Sequence, residues 1–331
     1  MKLTCGVSFW KSGIQEKGRV AVPKAAWVDA DHKTAHLGRG EDGLWRPVEF
    51  KILGEMWAEK GASMKVVLFC GGAGMRLRGY TDDVPKPMVT IGSRPVLWHV
   101  MKYYAHFGHK NFILCLGYKA NVIKNYFLDY QESVSNDFVF SQGGKKLDFM
   151  QRDIDDWTIT FVDTGLQSTI ADRLRLSEPH LQGEEIFLAN YSDGLTDFHL
   201  PELIEEFSHR DAYASFLTVQ PRSSSLDTVH MDKDGSVQAI KCMKESNIWV
   251  NGGYFVLRKE VFRYIKPKEE LVYEPFSRMI SEGRVWSKKY TGFWQCMDTF
   301  RDKQILDELE ASGEAPWYLW KNGRSARLVV A

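Results

Sequence analysis

The sequence predicts an α/β protein with a mixed, mostly parallel central sheet flanked by helices. Three observations carry this. From residue 64 onward, apolar runs of strand length alternate with stretches of helical period, the rhythm of parallel strands joined by helical crossovers. The first apolar run breaks directly into glycines, as expected of a ligand-holding turn at the carboxyl end of a strand. Length and composition agree: 331 residues, 44% hydrophobic and 26% charged, suit one large globular domain or two smaller ones.

The elements follow in order. "KVVLFC", opened by Met64, reads as the first buried strand. "PVLWHVMKYYAHFG" (95–108) has a helical pattern and stops at a glycine. "NFILCLG" (111–117) is the next strand and "ANVIKNYFLDY" (120–130) the next helix. "WTITFVDTG" (157–165) alternates like a strand, and "EIFLANYSDG" (185–194) is a strand ending in polar residues. "PELIEEFSHR" (201–210) is a helix with Pro201 at its start, and "AYASFLTVQ" (212–220) is again a strand. "GSVQAIKCM", "WVNGGYFVLR" and a helix over "EPFSRMISEG" come later, with no internal repeat and no low-complexity segment.

Residues 1–63 differ. They show no sustained helical or alternating period, and only "KILGEMWAEKG" (51–61) is compatible with a short helix. Two readings stand: a small N-terminal appendage, or upstream translation from a misplaced start with Met64 as the initiator. Under either, the chemistry is expected within residues 64–331.

Composition also excludes. A formal net charge of +0 argues against a nucleic-acid or anionic-membrane partner, since both favour a basic excess. No run is long and apolar enough to span a bilayer, and "MKLTCGVSFWKSG" is a poor secretory signal, so a cytoplasmic location is expected. The 5 cysteines include no C-x-x-C pair and read as small buried hydrophobes in a reducing compartment.

Four stretches carry candidate chemistry. In "VVLFCGGAGMRLRGY" (66–80), Gly71, Gly72 and Gly74 let backbone N–H groups approach a phosphate closely. A dinucleotide fingerprint fails at Leu77, and a P-loop would need Gly-Lys-Ser/Thr. Arg76 and Arg78 add positive charge. So does Lys86, whose ammonium the flanking Pro85 and Pro87 would present in a fixed direction; a solvated loop lysine is the alternative. In "LANYSDG", Asp193 sits at a sheet's carboxyl edge, as a Mg²⁺ ligand or as the start of an Asp-Gly turn. In "GFWQCMDTFRD", Asp298 is a second carboxylate, or else Asp298 or Thr299 caps the helix that follows. Two carboxylates plus nucleotide phosphates are an ordinary Mg²⁺ environment. In "VNGGYFVL", Asn251, Gly252 and Gly253 interrupt a strand, either to let a sugar ring approach, with Asn251 bonding its hydroxyls, or as a bulge.

Together these stretches resemble the sugar-1-phosphate nucleotidyltransferases, and among them the glucose-1-phosphate cytidylyltransferases. The resemblance runs from about Met64 to about Trp320, through "GGAGMRLR", "PKPMVTIGSRPVLWHVMKYYAHFG", "GYKANVIKNYF", "VDTG", "YSDG", "NGGYFVL", "GFWQCMDTFRDK" and "APW". It implies a Rossmann-like fold and a homo-oligomeric enzyme that makes a nucleotide sugar for surface glycans such as O-antigen. It further implies that Gly71, Gly72, Gly74 and Met75 wrap the triphosphate of CTP while Arg76 and Lys86 neutralise it. Mg²⁺ would sit on Asp193 and Asp298. A phosphate oxygen of glucose 1-phosphate would attack the α-phosphorus, releasing pyrophosphate and forming CDP-glucose.

The chain departs from the family pattern at several points. Met75 replaces a threonine. Ile170, Ala171 and Asp172 replace a threonine and two glycines before Arg173 and Leu174, in a segment that in the family helps hold the base. Ser192 stands where glycine is usual. Met243 replaces the lysine that meets the sugar phosphate. Lys241, two residues away on the same face of a regular strand, is the expected substitute, and Lys244 the alternative. These departures leave open another sugar phosphate or nucleotide, or a homologue that binds nucleotide or sugar without turnover.

Overall fold

Both faces of the strand after Met64 are apolar, so both need cover. Val66, Val67 and Leu68 are accordingly buried in β1 (Lys65–Phe69), inside a seven-stranded sheet. The structure is a computed structural model and describes residues 19–22, 26–29, 34–37, 63–72, 84–221, 227–243 and 247–321. It divides into two compact units, Met1–Ala62 with Glu205–Asp211, and Ser63–Ile204 with Ala212–Ala331.

In the first unit three short strands, Arg19–Val22, Ala26–Asp29 and Thr34–Leu37, pair antiparallel in chain order. The sequence gives no periodic hint of them, because four-residue strands are too short to show alternation. The helix considered for residues 51–61 lies outside the described residues.

The sheet of the second unit adds β2 (Asn111–Leu116), β3 (Thr158–Asp163), β4 (Ile186–Asn190), β5 (Ala214–Val219), β6 (Val250–Arg258) and β7 (Val285–Tyr290). Its order is β3-β2-β1-β4-β6-β5-β7. Only β6 runs against the rest, antiparallel to both β4 and β5. The mixed, mostly parallel sheet is therefore present. Between β6 and β5 the register shifts, with Phe216 opposite Phe255 but Thr218 opposite Asn251. The interruption at Gly252 and Gly253 is thus a bulge.

Helices cover both faces. From α1 (Val96–His106), Tyr104 reaches the side chain of Asn190, and the Tyr103 and Tyr104 rings pack on Tyr254. α2 is Ala120–Leu128. Strand alternation sends Phe187, Ala189 and Phe255 to the opposite face. There they meet Ala171 and Leu174 of α3 (Ile170–Ser177) and Phe276 and Met279 of a helix over Glu274–Ser281. α1 ends as its sequence signals, with Gly108 at φ 89° and the His109 N–H closing on the Tyr104 carbonyl. No helix among the described residues is long and apolar enough to cross a membrane.

Two hairpins interrupt the rhythm, Phe138–Ser141 with Lys146–Phe149 and Asp227–Met231 with Val237–Cys242. Their strands are largely exposed on both faces, so no one-sided apolar pattern marks them. The first is tethered at its base by buried Asp153, which accepts hydrogen bonds from Lys102, Tyr130, Ser135 and Asn136.

The chain leaves β1 toward β2 on one side, while β4 pairs with β1 on the other. Such a switch point opens a crevice beyond the carboxyl ends of the two strands.

Candidate active site

That crevice holds a cavity of about 550 Å³, within the range of roughly 300–1,000 Å³ common for small-molecule sites. Phe69 and Gly72 line it from the end of β1, and Asn190 to Gly194 from the end of β4. Lys86, Ile170, Asn251, Gly252, Trp294, Cys296 and Asp298 complete much of the wall.

Gly71 is required by close packing. A Cβ there would lie 2.0 Å from a guanidinium nitrogen of Arg173. Buried Arg173 donates to the carbonyls of Gly71, Leu116, Gly165 and Leu166 and to the Thr164 hydroxyl, tying together the ends of β1, β2 and β3. The Tyr118 N–H also donates to the Gly71 carbonyl, at 3.2 Å. Arg173 is a positioning residue that sequence reasoning missed, because a guanidinium inside a helix pattern carries no local sign of its long-range acceptors. Residues 73–83 lie outside the described residues, and with them the candidate phosphate contacts Gly74, Met75 and Arg76.

Lys86 opens a short 3-10 helix over Lys86–Met88, with Pro85 extended before it and Pro87 and Met88 buried after it. Its side chain is only 14% exposed, so it is not a solvated loop lysine. The ammonium donates to Asp193 Oδ2 at 2.5 Å and to Asp298 Oδ1. Burial works to lower its pKa, but the two carboxylates outweigh burial and hold it above the ordinary lysine value.

Asp193 reaches this point through an abrupt turn. Ser192 has φ 68°, its N–H donates to Asn190 Oδ1 at 2.8 Å, and its hydroxyl donates to the Phe69 carbonyl at 2.9 Å. Asp298 arrives from far along the chain. The strands Gly194–Thr196 and Trp294–Cys296 pair antiparallel, and the Met297 N–H donates to the Asp193 carbonyl at 2.9 Å. The helix after Asp298, α4 (Phe300–Ala311), is capped by Thr299 in a capping box with Asp302. Asp298 is therefore not the cap, and its carboxylate faces Lys86. Asp302, also missed from the sequence, accepts from the N–H groups of Asp298 and Thr299 and from Gln295 Nε2.

Asn251 lines the cavity but is already engaged. Its amide donates to the Tyr191 hydroxyl at 3.1 Å, and its Oδ1 accepts from the Gly253 N–H at 2.9 Å. Gly253 has φ 78°, and a Cβ there would meet the Tyr191 ring at 2.6 Å. Trp294 Nε1 donates to the Gly252 carbonyl at 2.9 Å. Tyr191 and Trp294 thus frame the glycine bulge.

Lys241 is not among the residues lining the cavity. It is exposed on the second hairpin, opposite Thr228. The strand ends at Cys242, so Met243 lies beyond it and shared-face alternation does not relate 241 to 243. Lys244 lies outside the described residues. The segment that replaces the family's threonine and glycines starts α3, with Thr169 accepting from the Asp172 N–H and Ile170 facing the cavity. Cys70 and Cys115 are buried as expected, but Cys242 is exposed. Burial first, then Asp298 and Asp193, push the Cys296 thiol up to about 12, so it is no thiolate nucleophile near neutral pH.

One ammonium touching both Asp193 and Asp298 shows that their oxygens converge on a single point. No cluster of three or more His, Cys, Asp or Glu side chains suited to a metal occurs among the described residues. Two carboxylate oxygens that meet at one point fit a hard cation, which would take its remaining oxygens from water and nucleotide phosphates.

Two carboxylates engaged by one lysine at the switch point of this sheet make an arrangement suited to nucleotide phosphoryl chemistry. The pattern of the nucleotidyl transferase family matches residues 65–295, and the chain belongs to that family. It is 36% identical over 262 residues to the glucose-1-phosphate cytidylyltransferase of Salmonella typhimurium (strain LT2), covering 78% of this chain and 100% of that protein. Identity, aligned length and coverage are the same for the glucose-1-phosphate cytidylyltransferase of Salmonella typhi. Among solved structures, UDP-glucose pyrophosphorylase complexed with UDP-glucose superposes with a TM-score of 0.55 at 12% identity, covering 76% of this chain and 100% of that one, a likeness of fold.

Proposed function

We propose that this chain transfers the cytidylyl group of CTP to glucose 1-phosphate, giving CDP-glucose and pyrophosphate. The observation that carries the reading is the convergence of Asp193, Asp298 and Lys86 on one point of a nucleotide-sized cavity. The choice of base and sugar is supported by the names of the relatives at 36% identity.

The chemistry needs little from a nucleophilic side chain. A phosphate oxygen of the sugar phosphate already carries the attacking electron pair. It bonds to the α-phosphorus of CTP, the bond from that phosphorus to the bridging oxygen breaks, and pyrophosphate leaves with the electrons. Positioning and charge neutralisation dominate such steps. Asp193 and Asp298 would hold Mg²⁺, which when bound draws charge from the phosphate oxygens. Lys86 neutralises the phosphates from the cavity wall, and Arg76 has the planar fork suited to the same task. Gly72 brings backbone close to the ligand, and Asn251 and Gly252 border the sugar side. The reading places a homo-oligomeric enzyme in the cytoplasm, supplying a nucleotide sugar for surface glycans such as O-antigen.

A second reading, with another nucleotide or sugar phosphate, is favoured by Ile170 at the cavity wall and by the position of Lys241 outside it. Pyrophosphate release measured across CTP, UTP, GTP, ATP and dTTP with several sugar 1-phosphates separates the two. CTP with glucose 1-phosphate is expected to give the highest kcat/KM. Asp193→Asn and Asp298→Asn should each lower kcat by at least about a hundredfold. A tenfold preference for another pair would overturn the substrate assignment. Release at the same low level in wild type and both variants would overturn transfer itself.

A further inference from the structure

The ammonium of Lys86 occupies the point on which oxygens of Asp193 and Asp298 converge. It contacts Asp193 Oδ2 at 2.5 Å and Asp298 Oδ1 as well. The side chains of Lys86, Asp193 and Asp298 are only 14%, 19% and 28% exposed, so solvent screens the three charges little. Pro85 is extended and Pro87 and Met88 are buried, which fixes the backbone from which the lysine stem projects. The four-carbon stem is the part left to move.

A Mg²⁺ or Mn²⁺ ion binds carboxylate oxygen at about 2.0–2.2 Å. An ammonium cannot keep its contacts with the same oxygens beside such an ion, because two cations would share one point at contact distance. We propose that Lys86 is a resident counter-ion that competes with the metal for Asp193 and Asp298. It must be expelled when the metal loads. This inference rests on the assignment of those two carboxylates as metal ligands, and it gives Lys86 a second role. Expelled, the ammonium remains in the same cavity, within its stem's reach of a bound triphosphate. Metal frees the lysine for phosphate, and phosphate draws the lysine from the carboxylates. Linkage makes the coupling reciprocal: metal and nucleotide each strengthen the other's binding. Free metal without nucleotide meets a site already neutralised by the protein's own cation.

The test reads metal binding without turnover. Mn²⁺ alone is titrated into full-length wild type, Lys86→Met and Asp193→Asn/Lys86→Met, and free ion is followed by electron paramagnetic resonance. Lys86→Met should bind Mn²⁺ at least about tenfold more tightly than wild type, since the competing charge is gone. Equal or weaker binding by Lys86→Met, with the double variant weaker still, overturns the competition and leaves the metal assignment standing. If the double variant binds as tightly as Lys86→Met, the metal assignment fails and the competition fails with it. A measurement on wild type guards against misfolding of the variants. Acetic anhydride labelling of Lys86, read by mass spectrometry, should rise at least about threefold when Mn²⁺ alone saturates the protein. Unchanged labelling overturns the proposal.

Discussion

Ser192 shows how much one backbone angle contributes to the site. A non-glycine residue in the left-handed region costs roughly 1–2 kcal/mol, and Ser192 sits there at φ 68°. Its hydroxyl and N–H each make a hydrogen bond that partly offsets this. Glycine, usual at this point of the family pattern, would avoid the strain but could not bond the Phe69 carbonyl. Ser192→Ala keeps the strain and loses the hydroxyl bond, so it should destabilise by about 1–3 kcal/mol. Ser192→Gly loses the same bond but relaxes the backbone, and should stay within about 1 kcal/mol of wild type. Urea unfolding of the three proteins decides it; equal losses in the two variants would mean that the angle is not strained.

At the scale of elements, the start of α4 organises the second carboxylate. Asp302 is buried and accepts from the N–H groups of Asp298 and Thr299, from the Thr299 hydroxyl and from Gln295. One side chain thus both completes the capping box and sets the direction of the chain at Asp298. Asp302→Ala should cost about 1–2 kcal/mol of stability and lower kcat about tenfold or more, with a smaller change in the KM for nucleotide. Thr299→Ala removes a cap contact without taking the acceptor from Asp298, and should cost similar stability with less effect on rate. Wild-type kcat in Asp302→Ala at a temperature where it remains folded would show that Asp298 is positioned by something else.

Across the whole molecule, two buried histidines predict sensitivity to acid. His109 Nδ1 accepts the Met64 N–H at 3.1 Å, which requires the neutral ring. His99 Nε2 lies 3.1 Å from the Ile91 carbonyl and its Nδ1 is 3.4 Å from Trp317 Nε1, a pattern that also suits one neutral tautomer. Burial is the main cause that lowers both pKa values to about 4, against about 6.5 in the unfolded chain. Folded pKa values below unfolded ones mean that the unfolded chain binds more protons. The stabilisation is complete above about pH 6.5 and is lost as pH falls toward about 4, by up to about 3 kcal/mol per histidine. Denaturant melts from pH 8 to 4 should show this decline, and the double variant His99→Gln/His109→Gln should flatten it. An unchanged pH slope in that variant would assign the decline to other groups.

Much of this was legible in the residues alone. The alternation of buried runs such as "KVVLFC" and "NFILCLG" with helical segments encodes the sheet and its cover, because apolar spacing reports which side of an element is buried. A run of glycines or an aspartate at a strand's end marks a ligand edge for the same local reason. What tertiary structure alone decided is which distant residues share a point. Pairing of Gly194–Thr196 with Trp294–Cys296 brings Asp298 beside Asp193, and no local period encodes that partnership. The choice of Thr299 over Asp298 as helix cap, the engagement of Lys86 by both carboxylates, and the exposed hairpin that carries Lys241 away from the cavity lining were equally invisible. Side-chain spacing along a chain specifies burial within an element. Contacts between elements depend on strand order and loop paths, which are set by the packing of the whole.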